Sequence, residues 1–361
     1  VSRVVVALDS FKGSITAAGA VAALAEGWAS ADPAAEVVSR PMADGGEGTV
    51  AAFAAAVDGA VAMPLAVRGP HGRDVETSWL RLPDGTGVVE LASTSGIELL
   101  GDERRPWDAD TLGFGQAIAA ALDHGVSRLL LGIGSSASTD GGAGLLTALG
   151  ARFADAGGAP LAPGARGLAD VAVADLSGLR PLPPGGVLVL SDVTNPLRGA
   201  RGAAAVFGPQ KGLDAAGIER ADHGLGRLAA LLPADPDEPG AGAAGGTGFA
   251  LRAWGALLVP GAPEVAALIG LREAIAGADL VVTGEGSFDG QSAAGKVPSF
   301  VAEIAAEADV PVALVAGRIA EDADVSAFTA SLSLTALAGS AAASLADPAR
   351  WLRAAGAALA R

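Results

Sequence analysis

The sequence predicts an α/β protein of two domains: a parallel-sheet domain built from both chain ends, and an inserted α/β domain with a mixed sheet. Three observations carry this. Short apolar runs alternate with helical patterns near both ends of the chain. The middle holds three closely spaced short strands, two of them joined by an Asp-Gly turn. The chain has 361 residues, 50% of them apolar, which is enough for two sizeable cores and argues against disorder.

Taken in order, residues 3–8 read as a buried strand, and "SITAAGAVAALAEGWA" follows as a helix with Ser14 as its N-cap. A strand at 36–40 leads through "MADGGEGT" into an Ala-rich helix from about Thr49. Segments 61–67, 76–82 and 87–92 are short strands, the last two linked through Asp84-Gly85, a hairpin signal. A helix at 112–124, a strand at 128–133 and a Gly/Ser loop come next, then a strand at 187–191. Pro/Gly-rich stretches at 155–167, 178–186 and 232–248 read as loops or linkers. The C-terminal part returns to the first rhythm with a strand at 279–283, a helix at 298–308 opened by Pro298, and the strand "VPVALVAG". "SLSLTAL" is a candidate for one more strand. The expected division is 1–66 plus 268–361 for the first domain and 67–267 for the second, with the active site in the cleft between them.

Charge narrows the function classes. A formal net charge of −16 argues against nucleic acid, which needs clustered Lys and Arg, and the absence of Tyr removes much of any base-stacking platform. No Cys means no disulfide and no thiolate metal site. The chain enters a strand at once, leaving no room for a signal peptide, and the Ala-rich stretches are too interrupted to span a bilayer. A cytoplasmic protein with small-molecule partners, and neither nucleic acid nor membrane, is the expectation. The residues carry no signal for oligomeric state, and a homodimer is left open.

The lysines are more informative. Only Lys12, Lys211 and Lys296 occur, against 21 arginines, and each lies in a Gly- or Ser-containing loop: "DSFKGS", "FGPQKG" and "SAAGKVP". The single Asn, Asn195, and two of the three Gln, Gln210 and Gln291, fall in loops of the same kind. A chain that otherwise uses Arg keeps an ammonium where a compact point charge is needed. Acidic residues recur at strand ends: Asp9 with Ser10, Asp44 and Glu47, Asp140, Asp192, and Glu285 with Asp289. Taken singly, each Asp-Gly loop is a common turn, and Asp44 and Asp140 can equally cap helices. The combination points to chemistry.

"GIGSSASTDGGAGLL" is the best anion cradle. Small residues Gly132, Gly134, Ser135 and Ser136 let backbone N–H groups approach a phosphate, and a helix N-terminus follows. "DGQSAAGKVP" matches G-x-x-x-x-G-K through Gly290, Gly295 and Lys296, but Val297 stands where a P-loop carries Ser or Thr. Five residues also separate it from its strand, so it reads as a separate solution to holding phosphate. His71, His124 and His223 lack ligand spacing, and no G-x-S-x-G elbow or Tyr or Cys nucleophile is present. Lys, Asp, Glu, hydroxyls and glycine loops remain, an inventory suited to phosphoryl transfer, which is mostly positioning and electrostatics with Mg²⁺.

Seven motifs, "DSFKGS", "ADGGEGT", "GSSASTDGGAG", "DVTNPL", "FGPQKG", "GAGAAGG" and "GEGSFDGQSAAGKVP", resemble in that order those of the bacterial glycerate kinases that form 2-phosphoglycerate. The resemblance runs from about residue 3 to 317 and is looser beyond. It implies a Rossmann- or flavodoxin-like domain and ATP- and Mg²⁺-dependent phosphorylation of D-glycerate. It departs at Ser287, where such proteins commonly carry Arg, and at Leu8, in place of a common Pro.

On this resemblance Asp192, or secondly Asp44, orients or deprotonates the acceptor hydroxyl. Lys12, Lys211 and Lys296 neutralise the anions. Glu285 and Asp289 hold Mg²⁺, and Gly132, Gly134, Ser135, Ser136 and Asp140 line the nucleotide. Asp9, Ser10, Asn195, Gln210 and Gln291 are the substrate candidates. Phosphorylation of another small hydroxy acid, 3-phosphoglycerate formation, and a non-catalytic sugar-acid or nucleotide-binding regulator stay open as alternatives.

Overall fold

A computed structural model describes residues 2–11, 13–290 and 296–361. Lys12 and Gln291, together with Gly295 of the lysine motif, lie outside the described residues. The chain divides into two compact units, one of Val1–Asp44, Ala51–Asp58 and Ala262–Arg361, the other of Gly45–Val50 and Gly59–Gly261. The main division thus falls at 58/59 and 261/262 rather than at 66/67 and 267/268. The strand Val61–Arg68 pairs along its whole length with Asp74–Arg81, which ties it to the second sheet.

The first unit is built on a five-stranded parallel sheet. Its order is Glu36–Ser39, Arg3–Leu8, Leu280–Gly284, Val312–Ala316, Ala330–Ser333. Numbered along the chain this is 2-1-3-4-5, the flavodoxin-like winding, whose direction reverses between the strands Arg3–Leu8 and Leu280–Gly284. Val4 to Leu8 and Val281 to Gly284 are buried, as β-branched and small residues must be in a sheet covered on both faces. Strand Ala330–Ser333 covers only the start of "SLSLTAL", because the chain turns into the helix Leu334–Ala338.

The first helix, Ala17–Ala31, is capped by Thr16, whose Oγ1 accepts the Gly19 N–H, and not by Ser14. Ser14 is held in a turn closed by the bridge between Phe11 and Ile15, so the helix starts later. It packs against the last helix, Pro348–Leu359. A Cβ on Gly27 would come within 2.0 Å of the Arg353 carbonyl, so the two backbones meet there.

The second unit carries a six-stranded mixed sheet, ordered Leu257–Val259, Val187–Leu190, Arg128–Gly132, Thr86–Glu90, Asp74–Arg81, Val61–Arg68. The first four are mutually parallel and the last two antiparallel, the hairpin at Gly85 (φ +87°) included. Its core gathers Phe114, Ile118, Leu129, Leu131, Leu145 and Phe249. The stretch 155–167 closes onto a small antiparallel pair, Arg152–Ala154 with Val173–Asp175. The stretch 232–248 is not a free linker: its second half opens the helix Ala243–Trp254 and is buried.

Candidate active site

In the first unit the candidates gather where the sheet order reverses. Asp9 follows the strand Arg3–Leu8, and its N–H donates to the Gly284 carbonyl of the neighbouring strand at 2.9 Å. Its buried carboxylate accepts the Ser10 N–H. Glu285 directly follows Leu280–Gly284 and is buried, while Asp289 lies beyond the two-residue strand Ser287–Phe288. Lys296 sits at the N-cap of the helix Val297–Glu307, with Pro298 in its first turn as expected.

The Lys296 ammonium lies 4.0 Å from Glu285 Oε2 and 3.9 Å from Asp289 Oδ1. Its side chain keeps 43% of its surface exposed. One partly exposed cation facing two carboxylates is an arrangement suited to meeting an incoming phosphate. Ser287 is paired in register with Arg318, whose guanidinium reaches the Ser287 Oγ at 3.4 Å. A guanidinium is therefore supplied at this position from the adjacent strand.

In the second unit the loop after strand Arg128–Gly132 is held from three sides. Gly134 donates to the Gly45 carbonyl, and a Cβ on Gly134 would lie 2.5 Å from Gly46 Cα, so "ADGGEGT" lies directly on this loop. Gly132 lies under the same segment. Ser135 takes a left-handed backbone (φ +59°) and accepts the Ile97 N–H, an unfavourable geometry for a non-glycine residue and one that marks functional loops. Asn195 Nδ2 donates to Arg201 O, and the Asn195 carbonyl accepts the Gly242 N–H. Gly245 and Gly246, both left-handed, bring the "GAGAAGG" loop against Ser138 and Gly141, where a Cβ on Gly245 would come within 2.0 Å of the Ser138 carbonyl.

Asp140 and Lys211 lock this loop from inside. Asp140 is fully buried. Its carboxylate accepts N–H groups of Thr111, Gly142 and Gly144 and the Thr111 hydroxyl. The Leu145 N–H is taken by Thr111 Oγ1. The helix N-terminus that looked open to phosphate is thus already filled by a carboxylate, and the half-buried Gly134 and Ser135 are the most accessible part of the loop.

Lys211 ends the helix Ala203–Lys211 at 3% exposure, and its Nζ donates to Ser136 Oγ at 3.0 Å and to the Ser138 carbonyl. Burial pulls its pKa down to about 8, opposed by the charge of Asp140. Ser138 Oγ and Thr139 Oγ1, both buried, have no hydrogen-bond partner among the described residues. Gln210, the neighbour of Lys211, is exposed.

Asp192 follows the strand Val187–Leu190, is exposed, and its Oδ1 accepts the Gly261 N–H at 3.0 Å. Asp44, half-buried, opens the loop that runs into the helix Thr49–Ala56. Sequence reasoning missed Glu90. This buried carboxylate at the end of strand Thr86–Glu90 accepts the Val50 N–H and caps the start of that helix. Burial raises its pKa, and the N–H groups of Val50, Gly48 and Thr49 oppose the rise. An acid at the end of a buried strand, level with Gly132 in the neighbouring strand, was the available signal.

Comparison with known proteins adds four findings. A family model described as the glycerate kinase family matches residues 4–361. A glycerate 2-kinase of Escherichia coli K12 is 42% identical over 90% of this chain and 87% of its own length. A glycerate kinase of Bacillus subtilis 168 is 41% identical over 89% and 86%. Among solved structures, a Salmonella typhimurium LT2 protein assigned as glycerate kinase 2 superimposes with a TM-score of 0.84 at 38% identity, covering 99% of this chain and 97% of that one.

Proposed function

The chain belongs to the glycerate kinase family, and on that premise we propose that it transfers the γ-phosphoryl group of ATP to the C2 hydroxyl of D-glycerate, giving 2-phospho-D-glycerate and ADP. The observation that carries the reaction class is the Lys296 ammonium set against Glu285 and Asp289 at the switch point of a flavodoxin-like sheet. The substrate follows the named activity of the E. coli relative.

The residues divide the work as follows. Lys296 meets the negative charge of the transferring phosphoryl group, the main demand of this reaction. Asp192 orients the C2 hydroxyl and accepts its proton, and Asp44 is the second choice for that role. Ser135 presents its N–H and hydroxyl groups to phosphate, whereas Ser136, buried and bonded to Lys211 and the Ser138 carbonyl, supports the loop together with Gly134 and Gly132. Lys211 is too enclosed to reach a substrate as it stands, and it acts by fixing Ser136 and Ser138. Asp9, Ser10, Asn195 and Gln210, with Lys12 and Gln291, remain candidates for binding glycerate.

A divalent cation fits Glu285 and Asp289, since these two carboxylates already converge on one positive charge. Mg²⁺ is commonly held by one or two carboxylates together with nucleotide phosphates. When bound there, Mg²⁺ would supply charge neutralisation on the phosphate oxygens. No helix among the described residues is long and apolar enough to cross a membrane, and we place the enzyme in the cytoplasm.

The test is ADP formation from Mg-ATP with and without D-glycerate. Glycerate-dependent ADP release is expected, and ATP left unchanged by added glycerate would contradict the assignment.

A further inference from the structure

A second feature of the inserted unit is not used by this chemistry. A pocket of about 500 Å³ is framed by Arg68, Asp110, Thr147, Phe153, Leu161 and Leu168. That volume lies within the range of small-molecule sites, roughly 300–1,000 Å³. Its walls are largely apolar, Phe153 and Leu168 being buried, while two polar groups converge at one end. Asp110 is 4% exposed, and its Oδ1 accepts the Leu112 N–H at 3.0 Å. Its Oδ2 faces the Arg68 guanidinium at 3.7 Å, too far for a hydrogen bond. Arg68 Nε is buried with no partner among the described residues. The Arg68–Asp110 ion pair thus places a donor and an acceptor together at one end of a largely apolar pocket, the pattern of a small-molecule site.

The place in the fold agrees. Val61–Arg68 runs antiparallel to Asp74–Arg81, which runs antiparallel to Thr86–Glu90. Arg68 therefore ends at the same sheet edge as Glu90 and Gly132, the carboxyl edge where ligands of such sheets collect. Ala143 and Gly144, at the end of the Ser135–Asp140 loop, also line the pocket.

We propose that this pocket seats the purine base of the nucleotide. The proposal rests on the phosphotransferase reading above. A purine is planar and apolar on its faces, which suits walls of Phe153, Leu161 and Leu168. The edge of adenine carries ring-nitrogen acceptors beside an exocyclic amino donor. The exposed end of the Arg68 guanidinium supplies the donor and Asp110 Oδ2 the acceptor that such an edge requires. Arg152, exposed at the pocket, can lay its guanidinium plane over the base.

Because the chain has no cysteine, Thr147→Cys introduces a single thiol at the pocket, on an exposed helix position. Its alkylation by iodoacetamide should be slowed at least fivefold by adenosine and by ATP, and not by inorganic triphosphate. Equal protection by triphosphate would overturn the proposal. So would no protection by adenosine while the wild-type enzyme forms ADP from Mg-ATP and D-glycerate, and in that case the kinase reading would stand. If wild-type ADP formation is also missing, the reading beneath the proposal fails with it. Independently, Thr147→Phe should raise the KM for ATP at least tenfold while the KM for D-glycerate stays within threefold. Equal rises in both would count against a base site.

Discussion

Lys211 and Lys296 each face a carboxylate in a glycine-rich surrounding, yet they sit in opposite physical regimes. Lys211 is 3% exposed, held by Ser136 and Ser138, with Asp140 near enough to act on its charge. Lys296 leaves 43% of its side chain in solvent and meets Glu285 and Asp289 only at about 4 Å. The first ammonium is committed to protein acceptors. The second keeps much of its side chain in solvent beside two carboxylates, the setting for the role proposed above. Residue type and motif context are the same for both, and burial is what separates the fastening lysine from the one proposed for chemistry.

The largest expected effect breaks the buried side of this comparison. Lys211→Met removes the donor to a buried carbonyl and leaves Asp140 without its counter-charge. A cost of about 1–3 kcal/mol for each group left unsatisfied follows. Denaturant unfolding should show lower stability, and turnover should fall with it because the loop loses its support. Undiminished stability would mean that the ammonium is not a fastener.

Lys296→Ala should do the reverse. Exposed ion pairs contribute about 0–1 kcal/mol, so the unfolding midpoint should scarcely move. Loss of one contact to developing charge typically costs about 10²–10³ in rate, and kcat should drop on that scale. A kcat above about a third of wild type would remove Lys296 from the chemistry. Asp192→Asn should behave in the same way, losing turnover while keeping the fold.

The smallest effect is a pH dependence from the buried lysine. Its folded pKa is lowered to about 8 from an ordinary 10.5. Below about 8 both folded and unfolded chains hold the proton, and the group contributes no slope. Between about 8 and 10.5 the unfolded chain still binds the proton that the folded chain has released, so the stability contribution rises with pH. The difference in unfolding free energy between wild type and Lys211→Met should therefore shift in favour of wild type from pH 8 to 10. A flat difference would place the ammonium in a wetter setting.

The sequence alone made the strands legible because their cues are local: runs such as Val4-Val5-Val6, and Asp84-Gly85 at the hairpin. It also located the acid-bearing loops, since a strand end followed by Asp, Glu and Gly is readable in ten residues. It could not reveal that Lys211 is buried, because the groups that bury it, Ser136 and Ser138, lie 75 and 73 residues earlier. Glu90 was missed for the same reason: the N–H it caps is at Val50, 40 residues away. Thr16 displaced Ser14 as helix cap although both carry hydroxyls, because the Phe11–Ile15 bridge delays the helix. The "GAGAAGG" stretch reads as a linker by composition, yet its glycines serve close contact with Ser138 and Gly141.

Phosphorus NMR of the product formed from D-glycerate and Mg-ATP is the most direct test of the central claim. The account predicts the resonance of 2-phosphoglycerate together with ADP. A 3-phosphoglycerate signal would contradict the assigned position, and ATP that remains intact would contradict the reaction itself.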